Sequence, residues 1–436
     1  MNPNRILRVI LGPRLAWICL LLATVFHDPA LAAEQVTPST GAFNVEAETR
    51  AYLERQTAKE KTRSDAYFEG GYWVQLWQFL YGAALSLLLL QTRLSARMRD
   101  LACRLSRFKP VQTTAYAIQY ILLTSLITFP LSMYTDFLRE HKYGLATQNF
   151  TGWLGDWFKG LMVGVIIGCI AMMVLVAIVR RLQRTWHLWG AVMSLVFLAA
   201  ISLLSPVFIA PLFNKYTALD KPEVVGPILR LARANGITAN KVYQMDASRQ
   251  STRVSANVSG FLNTMRITLN DNLLNRCSLP EIQAVMGHEM GHYVMNHVYK
   301  GLLFFGVVIV IGFVFANWAL TRALGRCGAN WGITGVGDLA VVPLFVLLFS
   351  TYLFVLTPFT NTFIRTQETE ADLFGLNSAR QPDGAALVAL KLGEYRKLQP
   401  GPIEEWIFFD HPSGATRIRA AMQWKAENPA PTSEAR

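Results

Sequence analysis

Charged residues are scarce in this sequence. Only 16% of its 436 residues are Asp, Glu, Lys or Arg, whereas 52% are hydrophobic. A soluble chain of this length needs more charge to cover its surface. The shortage of charge therefore excludes an ordinary soluble protein and indicates that much of the chain lies in lipid.

Cysteine is also scarce, at five residues. Cys19 and Cys169 lie in apolar runs, and Cys103, Cys277 and Cys327 show no C-x-x-C spacing. This pattern supports neither a disulfide framework nor a thiolate zinc site. The net charge of +12 does not indicate a nucleic-acid partner, because the basic residues stand at the ends of apolar runs, where they orient membrane segments.

Six apolar runs are each long enough to cross the hydrocarbon core of a bilayer. They cover residues 72–91, 113–133, 157–179, 187–208, 301–321 and 339–359. The sequence therefore predicts a multi-span membrane protein whose partner is the lipid bilayer. The runs lack the buried charges of a transport path, which argues against a transporter with a structural zinc site.

Positive charge alternates along the connections between these runs. Arg is dense after the first, third and fifth runs, at residues 93–109, 180–184 and 322–326. The positive-inside rule puts these three connections in the cytoplasm, as expected for a bacterial inner membrane. By parity, residues 209–300 and 360–436 are expected on the periplasmic side.

The strongest chemical signal is the H-E-x-x-H pattern at Gly287–His292, inside an amphipathic helical run from Glu281 to Tyr299. On a helix, the i, i+4 spacing places His288 and His292 on one face, so that two imidazoles can bind one Zn²⁺. Glu289 then faces the open coordination position. The pattern predicts a zinc site with Glu289 as its general base.

A zinc site with two histidines needs a third protein ligand. The acidic segment Glu368–Asp372 follows the last apolar run and supplies three candidates. Glu368 and Asp372 share a helix face at i, i+4, whereas Glu370 lies about 200° from Glu368 and is expected to face away. Three protein ligands would leave the fourth position open for water.

The polar stretch between the fourth and fifth runs predicts a small sheet beside the motif helix. After a helix over Glu223–Asn235, strands are expected at Lys241–Met245, Val254–Phe261 and Met265–Leu269, with a tight turn at 262–264. The second strand is rich in Ser and Asn. It is either an edge that takes an extended peptide by β-addition or an ordinary solvent-facing edge.

Another polar group lies near the carboxyl end, at His411-Pro412-Ser413 and Arg417. A His and an Arg that follow a metal-ligand helix can hold a developing oxyanion. The same pattern is also typical of an ordinary protein surface, and the residues alone leave both interpretations open.

Taken together, four motifs resemble those of the CAAX prenyl protease 1 family, which are integral-membrane zinc metallopeptidases. The motifs are residues 209–216, Gly287–His292, Glu368–Asp372 with Phe374, and His411-Pro412 with Arg417. Residues 140–145 also resemble a loop in the family's amino-terminal membrane half. The likeness runs from about residue 45 to residue 422.

This resemblance implies a mainly α fold, in which a multi-span membrane helix bundle encloses a chamber and carries a small α+β zinc metallopeptidase domain. It also implies a role for each matching residue. His288, His292 and Glu368 would bind one Zn²⁺, Glu289 would be the base, Asp372 would support a ligand, and His411 and Arg417 would line the chamber.

The order of polar and apolar stretches then divides the chain. Residues 1–33 have the layout of a cleavable secretory signal, with an uncleaved first membrane helix as the alternative. The amino-terminal membrane half is expected over 34–210. The zinc metallopeptidase domain is expected over 211–422, interrupted by a membrane hairpin at 301–359, with a polar tail over 423–436.

The predicted activity is hydrolysis of peptide bonds in a peptide or protein, with a lipidated or carboxy-terminal segment as one kind of substrate. A quality-control protease that acts on unprenylated chains is the main alternative. An intramembrane zinc protease with Asp383 as third ligand is disfavoured, because Asp383 lies in a polar context. A transporter would leave Glu289 as an idle carboxylate beside a metal.

Overall fold

The computed structural model describes residues 43–259 and 265–429. The signal predicted over 1–33 and the turn predicted at 262–264 lie outside the described residues. The helices are α1 (Val45–Leu53), α2 (Ala58–Gln91), α3 (Leu94–Leu105), α4 (Lys109–Ser132), α5 (Phe150–Arg181), α6 (Trp186–Leu204), α7 (Pro222–Ala234), α8 (Asp271–Arg276), α9 (Leu279–Val294), α10 (His297–Trp331), α11 (Val342–Ala379), α12 (Pro382–Leu392), α13 (Pro402–Phe408) and α14 (Gly414–Glu427). The strands are β1 (Tyr216–Ala218), β2 (Val242–Met245), β3 (Ala256–Ser259) and β4 (Arg266–Asn270).

Within this described part, six helical segments are long and apolar enough to cross a membrane. They are α2, α4 with its continuation to Lys142, α5, α6 with its continuation to Leu212, α10, and α11 with the turn before it. Each contains one of the six predicted apolar runs. Large apolar side chains such as Leu126, Ile166 and Leu203 are exposed on these helices, as expected for contact with lipid. The prediction of a mainly α, multi-span membrane protein is confirmed.

The three Arg-rich connections meet at one end of the bundle. Arg99, on α3 after the first span, lies 2.5 Å from the carboxylate of Asp338 in the connection between α10 and α11. Arg180, at the end of α5, donates to the carbonyl of Gly337 at 3.2 Å in that same connection. The three connections that the charge pattern puts on one side of the membrane are therefore in contact or share a partner.

A four-stranded sheet lies against the motif helix α9. The strand order is β1-β2-β4-β3, with β2 and β4 parallel and the two outer pairs antiparallel. Ile267 and Leu269 of β4 are fully buried with Met286 and Met290 of α9. Because β4 is central, β3 is an edge strand. The sequence missed β1, which has only three residues.

The motif helix begins where the sequence specifies a cap. The carboxylate of Glu281 accepts hydrogen bonds from the backbone N–H of Ser278 at 2.7 Å and from its hydroxyl at 2.8 Å. The helix ends at Val294, so the helical run expected to reach Tyr299 is wrong in its last turn. Asn296 takes a left-handed conformation with φ of 59°, and the chain changes direction before α10.

The carboxyl-terminal helices form a layer behind the site. Asp383 accepts a hydrogen bond from Tyr52 at 2.6 Å and pairs with Lys425 at 2.7 Å. These contacts keep Asp383 out of the histidine pair, so the intramembrane-protease alternative finds no support. The tail begins later than expected, because residues 423–427 complete α14 and Trp424 is buried.

Candidate metal centre

Three potential ligand groups lie at the contact between α9 and α11. The Nε2 atoms of His288 and His292 are 3.1 Å apart. Nε2 of His288 lies 3.3 Å from Oε2 of Glu368, and Nε2 of His292 lies 3.3 Å from Oε1 of the same carboxylate. These three side-chain groups form the ligand triangle. Of the two carboxylates that the sequence leaves open as third ligand, Glu368 is the one that faces both histidines.

This triangle fits a zinc ion. A tetrahedral site with bonds of about 2.05 Å has ligand atoms about 3.3 Å apart, close to the separations seen here. One oxygen of Glu368 is buried without a hydrogen-bond partner among the described residues. A buried carboxylate oxygen left in this way is costly unless a cation or donor binds it.

His288 is held from its other ring nitrogen. Its Nδ1 lies 2.8 Å from Asp372, and the guanidinium of Arg417 pairs with the same carboxylate, with Nε at 2.8 Å. Burial lowers the pKa of His288, but the carboxylates of Asp372 and Glu368 outweigh it and raise that pKa to about 9. Because a metal binds neutral imidazole, protons and metal compete for this side chain.

His292 is held by a chain of contacts that the sequence reasoning missed. Its Nδ1 lies 2.8 Å from Nδ1 of His297, whose Nε2 lies 3.0 Å from Glu370. Glu370 also accepts from Lys300 at 2.7 Å. Glu370 therefore points away from the ligand triangle, as its helix position predicts. The sequence indicates this contact only by a third His, five residues after the last residue of the motif.

Glu289 lies beside the triangle with its carboxylate uncommitted. In residues 43–259 and 265–429 it makes no hydrogen bond or ion pair, and it lines a cavity of about 280 Å³ together with His288 and Glu368. Burial raises the pKa of Glu289, although the charges of the two histidines oppose the shift. Such a carboxylate can accept a proton from a molecule bound in the cavity.

His411 and Arg417 both line the same cavity, but they differ in what they contact. Nε2 of His411 lies 3.3 Å from Glu368, and its Nδ1 lies 2.7 Å from Asp410. Arg417 is committed to Asp372 through two nitrogens. His411 therefore contacts the candidate ligand Glu368 itself, whereas Arg417 contacts the carboxylate that holds His288.

Small residues allow the two ligand-bearing helices to approach each other. A Cβ added at Gly291 would lie 3.1 Å from Cα of Ala371, and one added at Gly375 would lie 2.8 Å from the backbone nitrogen of His288. Larger side chains would push α11 away from α9. The sequence carried this signal as small residues at i, i+4 on both helices, at Gly287 and Gly291 and at Ala371 and Gly375.

Two family models match the chain. Peptidase family M48 matches residues 218–425, and the model described as CAAX prenyl protease N-terminal, five membrane helices, matches residues 46–215. The uncharacterized metalloprotease YhfN of Bacillus subtilis (strain 168) is 31% identical over 323 residues, which are 74% of this chain and 75% of the relative. This chain belongs to peptidase family M48.

Other relatives extend the M48 assignment. CAAX prenyl protease 1 of Saccharomyces cerevisiae is 28% identical and matches 72% of this chain and 74% of the relative. The human CAAX prenyl protease 1 homolog is 24% identical and matches 76% of this chain and 78% of the relative. The crystal structure of S. mikatae Ste24p has the same fold, with a TM-score of 0.73 at 21% identity over 87% of this chain and 94% of that one.

These findings confirm the family resemblance that the motifs predicted. The protein is a membrane-embedded metallopeptidase of the M48 family, hence a hydrolase. Its amino-terminal helices and its catalytic segments match two different family models, and one continuous chain carries both.

Proposed function

We propose that this M48 peptidase is a zinc-dependent endopeptidase in which His288, His292 and Glu368 hold the metal and Glu289 acts as general base. The observation that carries the proposal is the ligand triangle, with separations of 3.1 and 3.3 Å, beside an uncommitted carboxylate. No other group of three His, Cys, Asp or Glu side chains in the described residues is close enough to hold a metal ion.

The protein's own residues then have distinct tasks. When bound, Zn²⁺ supplies Lewis-acid chemistry, which polarises a carbonyl group and acidifies water. Glu289 accepts the proton of the attacking water and delivers it to the leaving amine. Asp372, fixed by Arg417, keeps His288 in one orientation. His411, when protonated, donates to the oxyanion that develops on the substrate.

The substrate is proposed to bind along β3. This edge strand has unpaired backbone groups on one side, and the residues just before and at its start, Val254, Ser255 and Ala256, line the cavity that contains Glu289. A peptide that adds to the edge would be held mainly by backbone hydrogen bonds. The relatives named CAAX prenyl protease 1 support a lipidated carboxy-terminal segment as its substrate class.

Metal removal tests this proposal directly. Dialysis of the purified protein against a chelator is expected to abolish cleavage of a fluorogenic peptide, because the site then lacks the ion that polarises the carbonyl group and acidifies water. One equivalent of Zn²⁺ should restore the rate. The same treatment of the His292→Ala variant is the matched control, which should stay inactive at one equivalent. Full activity of metal-free wild-type protein would contradict zinc dependence.

We also propose that the catalytic segments lie on the periplasmic side of a bacterial inner membrane. The Arg-rich connections share one end of the bundle, through the contacts of Arg99 and Arg180, and this end is the one that the positive-inside rule holds in the cytoplasm. Glu140 lies at the opposite end of its span and pairs at 2.7 Å with Arg253, which comes just before β3. The strand proposed to bind the substrate is therefore next to the end that faces away from the Arg-rich connections.

Single cysteines test this orientation. In a variant with all five native Cys replaced by Ser, Glu223→Cys and Arg97→Cys put one thiol at each end, since both native residues are exposed. A thiol reagent that cannot cross the inner membrane should label position 223 and not position 97. Both should label after the cells are lysed. The reverse pattern in intact cells would place the protease in the cytoplasm.

A further inference from the structure

The cavity beside the candidate metal centre contains an arginine whose side chain has no direct ion pair in the described part of the chain. Two arginines line this cavity, Arg396 and Arg417. Arg417 is paired with Asp372, whereas the side chain of Arg396 makes no hydrogen bond or salt bridge within the described residues. Arg396 is half-buried, so water solvates its guanidinium only in part.

The segment that carries Arg396 is fixed in place. The next residue, Lys397, lies 2.6 Å from Glu69 and 2.9 Å from Glu404, and Leu398 is buried. Neighbouring basic residues thus have opposite environments, because Lys397 has two carboxylates and Arg396 has none. These anchors hold Arg396 toward the cavity that contains Glu289.

The local charges favour an anion next to Arg396. Among the charged side chains that line the cavity, Glu368 and Glu289 would balance Zn²⁺ in the proposed site and Asp372 balances Arg417, so the charge of Arg396 is left over. Asp410 attracts Arg396 at longer range, but its carboxylate is engaged by His411 at 2.7 Å. Burial and the nearby charge of Arg417 hold the pKa of Arg396 below its usual value. A bound anion would relieve both effects.

We infer that Arg396 is a substrate-specificity residue that binds a carboxylate of the peptide while the scissile bond lies at Glu289. This inference rests on the proposed function. A guanidinium suits the group, because it presents two parallel N–H donors to the two oxygens of a carboxylate. The carboxylate is either the carboxyl terminus of the peptide or the side chain of an Asp or Glu within it.

Binding to a zinc-loaded but inactive protein separates these sources. In the Glu289→Gln background, labelled peptides would be compared as free acid and carboxy-terminal amide, and with an internal Glu replaced by Gln. The parent is expected to bind the charged member of one pair about 10- to 100-fold more tightly. Arg396→Gln should remove that preference, and Arg396→Lys should restore part of it.

The matched control is Arg419→Gln, since Arg419 is exposed and pairs with Glu46 outside the cavity. It should keep the full preference, and zinc content should be equal in all variants. If Arg396→Gln binds both members of each pair as the parent does, the inference is wrong. Cleavage of the same peptides by protein with Glu289 intact reports the proposed function separately, because it depends on zinc and on Glu289.

Discussion

The Glu289→Gln variant is expected to cleave peptides about 10²- to 10⁴-fold more slowly than the wild-type protein, the range over which general bases contribute. Gln has nearly the shape of Glu but cannot accept the proton of the attacking water. The carboxylate makes no hydrogen bond in the described part of the chain, so the substitution leaves no donor without its acceptor. The loss should appear in kcat, with little change in peptide affinity.

Two measurements make this result decisive. Zinc content, determined by mass spectrometry of the purified variant, should stay at one ion per chain because the three ligands are unchanged. Glu223→Gln, which alters an exposed carboxylate outside the site, should cleave at the wild-type rate. A Glu289→Gln protein that keeps more than a tenth of the activity would rule out Glu289 as the base.

The second large effect is expected on metal binding. His288→Ala, His292→Ala and Glu368→Ala should each lose the ion, because two protein ligands rarely hold zinc at catalytic sites. Glu370→Ala should keep it with about 10- to 100-fold lower affinity, since Glu370 acts only through His297 on His292. Competition with a chromophoric chelator measures both outcomes.

Glu370 and Glu368 form a matched pair for this test. Both are glutamates on the same helical turn, so they differ mainly in the direction of their side chains. If Glu368→Ala keeps zinc and Glu370→Ala loses it, the ligand assignment is wrong. If both lose it equally, the contact through His297 is as important as a direct bond, and the three-ligand description is incomplete.

Local spacing made much of the site predictable. The i, i+4 period of a helix places His288 and His292 side by side, and it places Glu368 and Asp372 on one face of α11, before any tertiary contact is known. Apolar runs likewise predict the six spans, because only a helix of that length satisfies its backbone in lipid.

Features that depend on contacts between distant segments were not predictable. β1 has three residues, too few for a pattern, and it exists because β2 pairs with it. His297 contacts His292 across a break between two helices, where Asn296 has a left-handed conformation. A prediction of one continuous helix to Tyr299 does not include this break. Arg396 resembles any other basic loop residue until the structure shows which side chains in the described part of the chain carry a partner.

The close packing of α9 on α11 also has a consequence for biogenesis. The two histidines are synthesised before the hairpin of α10 and α11, and Glu368 is synthesised after most of it. The ligand triangle therefore cannot form until both helices of that hairpin have inserted into the bilayer and Ala371 and Gly375 of α11 have packed against the motif helix. A half-inserted chain would therefore lack one of the three groups of the ligand triangle.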